Sequence, residues 1–171
     1  MNIDLNKIKL LLLDVDGVMT DGRIIYFNDG GEAKAFDVKD GHGLKLIQRA
    51  GIRVGIITGR QSEVVARRAA ELGIGIVYQG AKDKLKTFLE IIKELGLEPF
   101  EVAYVGDGNN MAHSLAFGAA KVGAHFTAIT PGNAYAPDKQ VIATATEDAK
   151  QTQGRITVTT DLKQGVEGAQ V

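Results

Sequence analysis

The chain has 171 residues, 44% of them apolar, with no cysteine and a net charge of -1 at pH 7, which suits one domain over 1–171 with a core that needs no staples. Near-neutral charge with dispersed Lys and Arg excludes the field that a nucleic-acid or membrane-surface partner requires, and the missing cysteine excludes disulfides, thiolate nucleophiles and cysteine-bound zinc. The longest early apolar run, Leu10 to Leu13, is far too short for a signal or a membrane span, so a soluble, unexported, cytoplasmic protein is expected.

In chain order, Lys9 to Val15 reads as a buried parallel strand running into Asp14, Asp16 and Gly17. Arg23 to Phe27 and Glu32 to Val38 flank Asn28-Asp29-Gly30-Gly31, whose residues tolerate positive φ, and this predicts a β-hairpin. Leu44, Leu46, Ile47 and Ala50 recur at helical spacing from Gly43, with Gly51 as the C-cap. Arg53 to Thr58 is a second strand, and Ser62 caps a helix that runs through Leu72 to Gly73. Ile74 to Tyr78 is a third strand, Lys82 to Leu95 a helix, and Val102 to Val105 a fourth strand. A helix from Met111 to Val122, a strand from Phe126 to Thr130 and a helix from about Asp138 to Gln151 follow. Arg155 to Thr159 is a sixth strand, Asp161 caps a short helix toward Gly168, and Ala169-Gln170-Val171 reads as the start of a further strand. Strands alternating with helices predict an α/β fold, a Rossmann-like three-layer αβα doubly wound parallel sheet.

Several polar residues fall at or just after strand ends: Asp14 and Asp16, Thr58, Lys84, and Asp107. Residues i and i+2 of a strand face one side, so Asp14 and Asp16 can converge. If the first and fourth strands are neighbours, Asp14 and Asp107 can reach one hard cation through oxygen, which suits Mg2+. A carboxylate attacking phosphorus is repelled by the phosphate's charge, so a metal and a lysine are needed to offset it. That chemistry assigns Asp14 as the nucleophile forming an aspartyl-phosphate, Asp16 as the acid and base, Thr58 as a phosphoryl hydrogen-bonder and Lys84 as the neutralising cation.

The ordered set Asp14-Val15-Asp16-Gly17, Thr58-Gly59-Arg60, Lys84 and Gly106-Asp107 resembles the haloacid dehalogenase-like phosphatases. More closely, Phe36-Asp37-Val38-Lys39-Asp40-Gly41-His42-Gly43 after a hairpin is similar to the 3-deoxy-D-manno-octulosonate 8-phosphate phosphatases. The resemblance covers about residues 7 to 107 and implies Mg2+ held by Asp14, the Asp16 carbonyl and Asp107, with Arg60 as a substrate contact and Asp40 near the pocket. It departs after Asp107: the family continues with a second Asp and a further acid, where this chain has Gly108 and Met111. The carboxylates that orient the metal and its waters are therefore missing.

From Gly106 onward the pattern changes. Gly106-Asp107-Gly108-Asn109-Asn110, His113-Ser114-Leu115, Ala128-Ile129-Thr130-Pro131, Pro137-Asp138 and Thr159-Thr160-Asp161 resemble the ornithine-binding domain of ornithine carbamoyltransferases. This implies a substrate contact at Asn110, or at Asn109. The loops that hold the carbamoyl donor are absent, so carbamoyl transfer is not expected. Charge thins at the same place, from roughly 28% of residues 1 to 111 to roughly 17% of residues 112 to 171. His113 reads as a packed or capping histidine, His42 and His125 as solvent-facing or loop residues, and Asp21 as a turn former. Gly106 and Gly108 do not make a dinucleotide fingerprint.

Both ancestries carry a strand ending in Gly-Asp with a helix behind it, so a splice there preserves the sheet spacing. The expectation is a chimera, a phosphatase-derived half over 1–105 and a carbamoyltransferase-derived half over 106–171, with strand order 3-2-1-4-5-6. Two functions stand side by side: an engineered scaffold, recombined for its fold, that retains at most Mg2+ and phosphate binding, and a Mg2+-dependent phosphomonoester hydrolase. A natural binding module for ornithine or a phosphate ligand is a third. Apolar residues of the hairpin 23–38 predict a homo-oligomer through it.

Overall fold

The computed structural model describes residues 7–97 and 101–171. Four consecutive leucines, β1 (Leu10–Leu13), pair in parallel with β4 (Arg53–Ile57), which pairs in parallel with β5 (Ile76–Tyr78). A strand covered on both faces cannot alternate apolar with polar, and β4 is accordingly buried from Val54 to Ile57. At Gly55 a Cβ would lie 2.7 Å from the Leu12 side chain and 2.8 Å from that of Ile76, so the centre of this sheet has room for hydrogen only. Between β1 and β4 lie the antiparallel pair β2 (Ile25–Tyr26) and β3 (Glu32–Ala33) and the helix α1 (Val38–Arg49). Helix α2 (Glu63–Leu72) follows β4, and α3 (Lys84–Glu94) follows β5. Val15, Leu44, Val54, Ile56, Val65, Leu72 and Ile74 form the buried core of this part, with Phe36 packed against it.

Helix α1 starts at Val38, well before the predicted Gly43, and the second hairpin arm is correspondingly short. Asp37 caps α1 by accepting a hydrogen bond from the Lys39 amide, and Gly41 and Gly43 are helical residues. Gly41 lies under α2, where a Cβ would come 2.4 Å from the Arg68 guanidinium. That guanidinium stacks 5.6 Å over the Phe36 ring, which is why Phe36 is covered. Ser62 caps α2 as expected, accepting from the Val65 amide, and Gly73 ends it at φ +73°.

The later strands β6 (Glu101–Val105), β7 (His125–Ile129) and β8 (Arg155–Thr159) form a second parallel sheet in that order. Helices α4 (Asn110–Val122), α5 (Lys139–Thr152) and α6 (Leu162–Val166) follow these strands in turn. Asn109, Asp138 and Asp161 cap them through side-chain oxygens. Helices α4 and α5 meet through small residues, among them buried Ala116, Ala120, Ala145 and Ala149. The Thr152 hydroxyl, donating to the Ala120 carbonyl at 2.5 Å, ties their ends together.

The fold is α/β with parallel sheets. The expected order 3-2-1-4-5-6 needs β1 beside β6, whereas the hydrogen-bonded neighbours among the described residues form two separate three-stranded sheets, β1-β4-β5 and β6-β7-β8. The edge of β6 away from β7 is taken by the chain's last residues: the Gln170 amide donates to the Glu101 carbonyl, and the Ala103 amide donates to the Val171 carbonyl, each at 2.8 Å. The segment 169–171, read from sequence as the start of a strand, thus bonds along β6. The chain divides into two compact units, Lys9–Phe88 and one that includes Leu89–Val171, so the division lies inside α3 and the motif change at Gly106 lies inside the second unit.

Candidate functional site

The site forms in the first unit, where β1 ends. After Leu13 the chain turns tightly, with the amides of Val18, Met19 and Thr20 all donating to the Val15 carbonyl at 2.9–3.2 Å. Gly17 takes φ +83°, which lets the turn close without a strained side chain. This turn presents Asp14 and Asp16 together. Asp14 Oδ1 accepts a hydrogen bond from the Val15 amide at 2.7 Å, and its Oδ2 receives the Lys84 ammonium. Lys84 is delivered there by the N-terminus of α3, which Asp83 fixes by accepting from the Lys86 amide at 2.9 Å. Asp14 and Lys84 are partly exposed, at 37% and 22% of their side chains, so the pair is open to a solute.

Asp16 is held by cations of its own. Lys34 Nζ lies 2.5 Å from its Oδ1, and Arg60 Nε lies 3.6 Å from its Oδ2. Arg60 comes from the turn after β4 and also donates to the Tyr26 hydroxyl at 3.4 Å. Thr58 directly follows β4 and is 2% exposed, with its amide bonded to the Tyr78 carbonyl. The sequence reading missed Lys34. Its signal was the spacing Glu32-Ala33-Lys34, which sets an acid and a base on one side of an extended arm; Lys34 also lies 3.3 Å from Glu32. Burial pushes the Lys34 ammonium down, but the hydrogen bonds and charges of Asp16 and Glu32 outweigh it, and its pKa stands above the usual lysine value. The stabilisation from this raised group is complete at neutral pH and is lost only as pH climbs through the raised value.

Asp107 and Asn110 lie in the second unit. Asp107 is exposed, and its carbonyl accepts from the Tyr104 hydroxyl at 3.0 Å. Asn109 is the α4 cap, accepting from the Met111 amide at 2.9 Å, and Asn110 is the exposed first residue of that helix. Among the described residues no three or more His, Cys, Asp or Glu side chains gather to hold a metal ion. His113 behaves as a cap, its Nε2 accepting from the Asp138 amide at 3.1 Å. His125, expected in solvent or a loop, is in β7 with Nδ1 2.9 Å from Glu101 Oε1. A cavity of about 240 Å3 beside Thr127, Arg155 and Gln164 holds none of the predicted residues. Among the described residues no helix is long and apolar enough to cross a membrane.

A parallel sheet whose first strand delivers an Asp-x-Asp pair, with a lysine on the first of them, is the architecture of a haloacid dehalogenase-like hydrolase, and the family model of that description matches residues 34–116. The chain belongs to this family. Its narrower kinship is with the 3-deoxy-D-manno-octulosonate 8-phosphate phosphatases: it is 49% identical over 101 residues to the Escherichia coli K12 phosphatase KdsC, covering 59% of this chain and 54% of that protein. The Yersinia pestis phosphatase is 48% identical over the same share. The chain therefore spans about half the length of the curated relatives it matches.

Among solved structures, the Moraxella catarrhalis phosphatase in complex with magnesium ion, phosphate ion and a KDO molecule is 35% identical. It matches with TM-score 0.62, covering 84% of this chain and 87% of that one. A putative phosphatase of the same description from Vibrio cholerae is 32% identical with TM-score 0.60, covering 95% of this chain and 83% of that one. Residues 98–171 match a second family model, the Asp/Orn binding domain of aspartate/ornithine carbamoyltransferase. The chain is a chimera of the two, and the two models overlap over residues 98–116, which enclose Gly106-Asp107.

Proposed function

We propose that the chain is a Mg2+-dependent phosphomonoester hydrolase that works through an aspartyl-phosphate. The observation that carries this reading is the Asp14 carboxylate, steadied at one oxygen by the Val15 amide and at the other by the Lys84 ammonium, with Asp16 two residues on. An Asp14 oxygen attacks phosphorus, and the ester oxygen departs with a proton from Asp16. Asp16 then takes a proton from water, whose oxygen attacks the acyl phosphate, releasing inorganic phosphate and restoring Asp14. Lys84 offsets negative charge throughout, Thr58 donates to a phosphoryl oxygen, and Arg60 contacts the substrate.

The oxygen donors of the first unit, a carboxylate at Asp14 and a backbone carbonyl at Asp16, are of the kind a hard cation takes. When bound, Mg2+ offsets charge on the transferring phosphoryl group. The kinship with phosphatases, one of them described with magnesium, phosphate and KDO, supports a sugar phosphate as the substrate class. Hydrolysis of 4-nitrophenyl phosphate is the test. Turnover should require Mg2+, stop with EDTA and fall to background in Asp14→Asn; turnover that persists in that variant sinks the reading.

A second reading, an engineered scaffold recombined for its fold without efficient native activity, is favoured by Gly108 and Met111 standing where the phosphatase pattern has acids. Under it the same assay shows no hydrolysis above background with the chain folded. Both readings keep the expectation of a hairpin inserted after the first strand. Ile24, Ile25, Tyr26 and Phe27 are all exposed at the β2–β3 tip, which supports self-association through residues 23–38. Sedimentation velocity should show an oligomer that Tyr26→Lys dissociates; a monomer at all concentrations removes this surface from consideration.

A further inference from the structure

We infer that Lys34 is a positioning residue for Asp16, a role that rests on the phosphatase reading above. Lysine side chains rarely leave solvent altogether, because the ammonium loses its water. The Lys34 side chain is nevertheless 1% exposed, with its ammonium 2.5 Å from Asp16 and 3.3 Å from Glu32. A group that exchanges protons with a leaving oxygen and then with water must present one oxygen in a fixed direction. Asp16 has that constraint: Lys34 occupies Oδ1, whereas Arg60 stands 3.6 Å from Oδ2, outside hydrogen-bond distance.

The lysine comes from just after β3, in an insertion whose paired strands are only two residues each. So short a ladder secures little by itself. The contact from Lys34 to Asp16 therefore links the placing of the insertion to the aiming of the acid. Glu32 completes the arrangement by facing the same ammonium, so that Lys34 is fixed from two sides and cannot follow Asp16 if that carboxylate swings toward Arg60.

The test compares Lys34→Met with the parent chain on two substrates, 4-nitrophenyl phosphate, whose leaving oxygen needs little proton, and an alkyl phosphate, whose leaving oxygen needs one. The losses are compared in kcat/KM, which reports the leaving-group step ahead of the hydrolysis that both esters share, and the expected loss is between about tenfold and a hundredfold on the alkyl ester. A smaller loss is expected on the aryl ester. Lys34→Arg, which keeps the charge, should recover part of the loss, and Lys34→Met should cost nothing further in an Asp16→Asn background. Equal losses on both esters, or a loss that Asp16→Asn does not absorb, make Lys34 a structural anchor and overturn the inference. A rise in KM that is the same on both esters makes it a substrate contact and does the same. If the parent chain hydrolyses neither ester, the phosphatase reading falls and takes this role with it, whereas an active parent with a fully active Lys34→Met removes the role alone.

Discussion

Gly108→Asp, which restores the acid of the phosphatase pattern, is expected to destabilise the protein by about 3 kcal/mol or more and lower its thermal midpoint by about 10 °C. Any Cβ at this position would lie 2.1 Å from the Pro137 nitrogen and 2.4 Å from the Ala136 carbonyl carbon. Those atoms are backbone, and the segment is anchored against Gly108 because its amide donates to the Tyr135 carbonyl at 2.7 Å. The loop must move as a body, which costs more than turning a side chain aside. Gly106→Ala is the control: its Cβ would meet the hydroxyl end of Tyr104 at 2.6 Å, and a ring end can swing away. If Gly108→Asp melts within 2 °C of the parent by calorimetry, the proposed close packing at this position is wrong.

That clash ties the chemistry to the ancestry. The loop before α5 belongs to the carbamoyltransferase-like segment, and it fills the space that a side chain after Asp107 would need. The missing acid is therefore a packing consequence of the join as well as a change of letter. A single substitution cannot restore the phosphatase pattern there without rebuilding residues 135–137.

What was legible in the sequence was what local chemistry decides. Ser62 and Asp161 were readable as caps because each satisfies amides two or three residues away. Asp14, Asp16 and Lys84 were readable because their spacing against strand ends is itself the signal. The start of α1 was hidden by Gly41, a residue that belongs in a helix only because Arg68 of another helix passes over it. Lys34 was missed because its partner is 18 residues away across a turn. The bonding of residues 170 and 171 to β6 was equally silent, since a strand's pattern shows which face is buried and says nothing of which edge is occupied.

Lys84→Met should lower kcat for 4-nitrophenyl phosphate by about a hundred- to a thousandfold while leaving the fold almost untouched. The two effects separate because the Lys84 ammonium serves Asp14 in different ways in the two settings. In the resting protein both side chains are partly exposed, and an ion pair of that kind contributes no more than about 1 kcal/mol to stability. For a chain of this size its loss moves the thermal midpoint by only about 2–4 °C. In the proposed phosphoryl transfer the same ammonium would face a carboxylate and a phosphate that repel each other, and no other cation contacts Asp14 directly among the ion pairs of the described residues. Lys84→Arg keeps the charge but replaces a compact ammonium with a planar fork, so it should recover binding of phosphate better than turnover. A Lys84→Met variant with unchanged kcat, or one that unfolds, would mean that the lysine holds α3 in place and that the charge on Asp14 is offset by something else.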